Sequence, residues 1–144
     1  MGKLMLNSII VTDLERISVS GGDVLHAMRT DSPGYNGYGE SYFSIIEPGA
    51  IKAWKKHSKM TLNLVVPRGM VRFTFTDGDG NFLVKEIGDK NFSRLTVPPG
   101  IWFGFKGLGS CESLILNISN ILHNPNEVER KKKDEIKFDW SIKI

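Results

Sequence analysis

With only one cysteine, Cys111, the chain cannot close an internal disulfide. It has no apolar stretch approaching the ~20 residues of a membrane-spanning helix. Its N-terminus lacks the charged start, apolar run and small-residue cleavage site of a secretory signal. These absences predict a cytoplasmic protein with no membrane partner. The sequons at Asn91 and Asn117 then have no glycosylation to report. Charge of one sign is also scarce: the net charge is +3 and the pI about 9.0. The one lysine run, residues 131–133, has no interleaved aromatics and no larger basic patch around it, so it reads as a solvated face and no nucleic-acid partner is expected.

What is present fits one compact domain over residues 1–144. The length matches the usual domain size, and 40% hydrophobic with 24% charged residues is ordinary for a globular protein. Apolar and β-branched runs recur at residues 8–11, 24–28, 41–46, 50–54, 61–66, 71–76, 82–87, 95–97, 101–105 and 112–118, with Gly, Pro, Asn and Asp between them. No window sustains a helical apolar stripe. Many short strands with turn signals predict an all-β sandwich or barrel with little helix. Asp77-Gly78-Asp79-Gly80 reads as a hairpin turn whose glycines take positive φ. The polar segment 124–133 is expected to form one short helix.

Between Gly49 and Gly69 the spacing of Gly49, Lys55, His57, Leu62 and Gly69 resembles the first cupin motif, and Pro98-Pro99-Gly100 followed by Phe103 resembles the second. Of the four positions that hold metal in that motif, only His57 can ligate; Lys⁺, Leu and Phe offer no usable donor. The resemblance implies an all-β, cupin-type jelly-roll barrel whose pocket holds no metal and no cofactor and whose chemistry is proton transfer or binding.

Two segments sharpen the resemblance. Gly49-Ala50-Ile51-Lys52-Ala53-Trp54-Lys55 resembles the Gly-Val-Leu-Arg-Gly-Leu-His segment of dTDP-4-dehydrorhamnose 3,5-epimerases, and residues 98–105 resemble their Pro-x-Gly-Phe-Ala-His-Gly-Phe segment. His123-Asn124-Pro125 with Glu127 or Glu129 is similar to their Tyr-x-Pro ahead of a Glu, and Phe138-Asp139-Trp140 is similar to their C-terminal end. Nucleotide-sugar 3,4-ketoisomerases carry His-Ala-His-Lys at the same place, where His57 matches the second histidine. The resemblance implies a homodimer, paired through N-terminal strands at 8–11 or 24–28, that acts on a keto-deoxy sugar nucleotide in surface-polysaccharide synthesis. It also implies where the acid and base should stand. The epimerases' base corresponds to Lys55, and their acidic Tyr falls near Leu116, which cannot transfer protons.

The candidate catalytic residues are therefore His57 and Lys55, which share a strand face if the strand is regular. A lysine serves as a base only when burial or a cationic neighbour lowers its pKa. Lys52, matching the epimerases' Arg, keeps a cation for an enolate oxygen or a phosphate. Glu40, Tyr42, Asn63, Arg72, Trp102, Phe103, Asn117 and His123 are the expected substrate-binding residues, by strand alternation or by their place in the resemblance. An alternative reading is a cupin that binds a sugar or sugar nucleotide without turning it over.

Overall fold

The computed structural model describes residues 5–143. Two five-stranded antiparallel sheets face each other, with a small two-stranded ribbon beside them. Sheet I contains β1 (Ile10–Asp13), β4 (Glu40–Ile46), β6 (Leu62–Arg68), β9 (Ser93–Val97) and β11 (Ser113–Ser119), in the order β1-β9-β6-β11-β4. Sheet II contains β5 (Ile51–His57), β7 (Met70–Thr76), β8 (Phe82–Gly88), β10 (Trp102–Leu108) and β12 (Val128–Arg130), in the order β12-β5-β10-β7-β8. The ribbon pairs β2 (Arg16–Ile17) with β3 (Val24–Leu25).

Every apolar run expected to be a strand contributes to one, because each alternates or fills a face that can be buried. The 77–80 turn closes the β7–β8 hairpin, with Gly78 and Gly80 at φ near +90°. The expected helix at 124–133 is instead a 3₁₀ turn, Pro125–Glu127, running into β12. Pairing with β5 supplies the backbone hydrogen bonds that a helix would have made internally. The expected intermolecular strands pair within their own chain: β1 with β9 and β3 with β2.

The core fills the space between the sheets. Leu62, Leu64, Phe73, Phe75, Leu95 and Ile115 are all at most 1% exposed. A separate aromatic cluster, Trp54, Trp102 and Trp140 with Phe138 against them, covers the outer face of sheet II. The C-terminal segment is strapped there: Trp54 Nε1 donates to the carbonyls of Lys133 and Ile136, and Arg72 Nη1 and Lys106 Nζ both donate to that of Trp140.

One irregularity positions the site. On β10, Phe103 pairs with Lys55 and Phe105 with Lys52, so between these pairs one residue on β10, Gly104, faces two on β5, Ala53 and Trp54. Strict alternation would send Lys52 and Lys55 to opposite faces; the extra residue, a β-bulge, turns both inward.

Candidate functional site

A cavity of about 340 Å³ opens between the sheets. Its floor is apolar: Leu64, Phe73, Phe103, Phe105 and Ile115. Its polar wall comes from Lys52 and Lys55 on β5, Arg130 at the end of β12, and Tyr42, Ser44 and Asn117 from β4 and β11. Asn117 is held by donation to Ser44 Oγ (2.9 Å) and to the Tyr42 carbonyl (3.3 Å). Lys52 Nζ donates to the Ile45 carbonyl at 3.1 Å, linking β5 to the edge of sheet I. No Asp or Glu lines the cavity.

Lys55 Nζ lies 5.7 Å from the centre of the Phe103 ring. Burial holds its pKa below the ordinary lysine value, Arg130 pushes the same way, and Glu127 partly opposes them. The Tyr42 phenol is moved the other way, above its usual value, first by burial and then by Glu40, so it stays protonated near neutrality.

His57 shares the Lys55 face as expected, but it does not line the cavity. Its ring stacks on Phe103, 6.4 Å between centres, and Nδ1 meets Glu127 Oε2 at 2.5 Å. Glu127 Oε1 also accepts the Met60 amide. Burial outweighs Glu127 and keeps the imidazole pKa below its usual value, so the ring is neutral, donates from Nδ1 and leaves a buried Nε2 with no partner. The Glu127 carboxyl is held below its usual range: burial pushes it up, but the hydrogen bonds from His57 and the Met60 amide outweigh that.

Among the described residues, no three His, Cys, Asp or Glu side chains come together as a metal site. Of the cupin ligand positions only His57 has a donor, and Glu127 is the only carboxylate hydrogen-bonded to it. The donor set does not fit a divalent ion.

Of the expected binding residues, Lys52, Tyr42, Phe103 and Asn117 line the cavity. Five others do not, the first three for reasons of strand phase. Asn63 faces away because its neighbour Leu64 faces in; it donates to the Gly34 carbonyl and accepts from Thr96. Arg72 lies between the core residues Val71 and Phe73, so it points outward to Glu86 (2.7 Å) and the Trp140 carbonyl. Trp102 belongs to the outer aromatic cluster, beneath the Lys56 and Lys131 ammoniums. His123 is exposed, with its backbone amide donating to Glu40, and neither is on the cavity wall. Leu116, where the resemblance put the epimerases' Tyr, faces the opposite side of sheet I from Asn117, in an outer groove.

Two residues of consequence went unread. Arg130 stands in a segment that looked like solvated helix. Glu127 appeared only as one of two possible acids after Pro125; Asn-Pro-Asn-Glu beside a histidine-bearing strand was its one signal.

A dTDP sugar isomerase from Desulfovibrio desulfuricans G20 is 35% identical and superposes with a TM-score of 0.88 over 93% of this chain and 91% of its own. The chain belongs to the RmlC-like cupin family of that isomerase. The probable low-salt glycan biosynthesis epimerase Agl13 of Haloferax volcanii is 26% identical, matching 96% of this chain and 97% of its own. The spore coat polysaccharide biosynthesis protein SpsL of Bacillus subtilis is 24% identical, over 97% and 99%. No family model matches the sequence. No helix among the described residues is long and apolar enough to cross a membrane.

Proposed function

We propose that the chain is an epimerase or isomerase acting on a keto-deoxy sugar nucleotide during synthesis of a surface polysaccharide, working in the cytoplasm as a homodimer. The observation that carries this reading is the joining of Lys55 and Tyr42 in one cavity free of carboxylates. In its unprotonated form, which burial and Arg130 favour, the Lys55 amine accepts the proton next to a keto group, and the Tyr42 phenol, kept protonated, returns one. Lys52 and Arg130 supply fixed positive charge for the developing enolate oxygen or for the substrate's phosphates. His57, shut off from the cavity, acts with Glu127 to hold the turn that leads into β12. Relatives named for an isomerase, an epimerase and polysaccharide biosynthesis support the same reading over simple binding.

The outward side chains of edge strand β4, Phe43 and Ile45, are 63% and 53% exposed, with Tyr38 and Leu122 exposed nearby. A second copy of the chain covers such a face at little cost; a monomeric mass by light scattering at micromolar concentration would count against it.

The test of activity is incubation with dTDP-4-keto-6-deoxyglucose in D₂O, followed by the signals of the C3 and C5 protons. Loss of either signal supports turnover. Lys55→Met should slow that loss by about 10²–10⁴-fold, the usual range for removing an acid–base group. Persistence of both signals with the wild type would sink the enzymatic reading.

A further inference from the structure

Among the described residues, Arg130 makes no ion pair that accounts for it. It ends β12 opposite Lys55 in register and lines the same cavity, and among the described residues neither side chain has a carboxylate within ion-pair distance. Its position is fixed from both sides. On one, Glu127 binds His57 and the Met60 amide through its carboxylate, and the Ser58 amide through its carbonyl. On the other, Lys131 and Trp54 exchange backbone hydrogen bonds of 3.0 and 2.9 Å. We propose that Arg130 is a positioning residue: the cross-strand register sets its guanidinium against the Lys55 amine and keeps that amine free to accept a proton. This rests on the reading above that Lys55 is the proton acceptor.

When two cations face each other without an anion, the one that can release its proton holds it less tightly. A guanidinium does not deprotonate in a protein, while an ammonium does so readily when desolvated. A lysine beside another cation in an apolar setting is one recognised way of activating the amine. The remaining neighbours leave that balance in place. From β5 come Lys52, a further cation, and the neutral His57. From the turn before β12 comes Glu127, the one opposing anion, already engaged by His57 and the Met60 amide. From β12's end comes Lys131, whose ammonium sits over Trp102. From β4 come the protonated Tyr42 and, beyond it, Glu40. Strands β7 and β10 present only phenylalanine rings, and β11 presents Asn117. The direction of the Lys55 pKa, lowered by burial and then by Arg130, agrees.

The experiment is trace labelling of amines with acetic anhydride across a pH series, read peptide by peptide by mass spectrometry on the intact protein. It reports Lys55 protonation whether or not the protein turns anything over. In the wild type, Lys55 should become reactive at lower pH than a free lysine side chain in an unstructured peptide added as internal standard. Arg130→Gln should move the Lys55 midpoint upward toward that of the standard, whereas Arg130→Lys, which keeps a cation, should leave it low. The acidic limb of deuterium exchange at the keto sugar should move with it. If Arg130→Gln melts early, Arg130→Met gives the same reading. An unmoved Lys55 midpoint in a folded Gln or Met variant overturns the proposal. A moved midpoint with no exchange in any variant leaves Arg130's role standing and removes the isomerase reading.

Discussion

The two faces of sheet II treat positive charge in opposite ways. Outside, cations are matched: Arg72 meets Glu86 at 2.7 Å, Lys56 approaches Glu129 at 3.7 Å, and Lys106 and Arg72 share the Trp140 carbonyl. Inside, Lys55 and Arg130 face each other with no acid on the cavity wall. The outer arrangement is what stability selects, since desolvated charges need partners. The inner one costs the fold stability locally, and such concentrations of unpaired charge mark functional-site candidates. Strand β5 belongs to both faces, alternating Trp54 and Lys56 outward with Lys55 and His57 inward.

Trp54→Ala should break the outer face with the largest effect on folding. It removes a ring 2% exposed, in contact with Phe138 and Trp140, together with the indole that holds the Lys133 and Ile136 carbonyls. Loss of about 3–5 kcal/mol in denaturant unfolding is expected. A loss under about 1 kcal/mol would mean that the C-terminal strap is held elsewhere.

The His57–Glu127 pair gives a pH signature of intermediate size. The folded pKa of His57 lies below that of the unfolded chain, so as pH falls past the ordinary imidazole value the unfolded state takes up a proton that the folded state refuses. Stability should therefore decline on acidification from neutrality, by no more than about 1.4 kcal/mol per pH unit for one proton. Glu127, whose folded pKa is depressed, contributes stability above its unfolded value that is lost at still lower pH, as its folded pKa is crossed. Urea midpoints between pH 7.5 and 5 should show this slope in the wild type and a flatter one in His57→Asn. Equal slopes would detach the pair from acid sensitivity.

The smallest effect on folding sharpens the contrast. Lys55→Met replaces an unpaired, half-buried cation over Phe103 by an apolar chain of similar length, so the melting temperature should hold or rise slightly even as exchange activity is lost. A marked drop would show that Lys55 has a structural partner.

The all-β architecture was legible because apolar runs with regular punctuation dictate strands wherever they are paired. β12 was not legible: Val128-Glu129-Arg130 carries no strand pattern, and only pairing with β5 makes it one. Arg130 was hidden with it. Asn63 and Arg72 were read as facing in because alternation tells which neighbours share a face, not which face is inside. Outer faces here are themselves covered: Val65, beside Asn63's own strand face, is 1% exposed. Lys52 reached the expected cavity only through the bulge, a feature that pairing creates and a single strand's sequence does not announce.

The brevity of β12 has a consequence for how the protein moves. Three residues pair at the margin of sheet II, far fewer than the seven of each strand at its centre. A short marginal strand opens with a free energy well below that of the whole fold. Its opening is resisted chiefly at its ends, by Glu127 on His57 and by the tail on Trp54. The wall bearing Arg130 is thus the part of sheet II expected to open most readily, and how readily is set by the hydrogen bonds at its two ends.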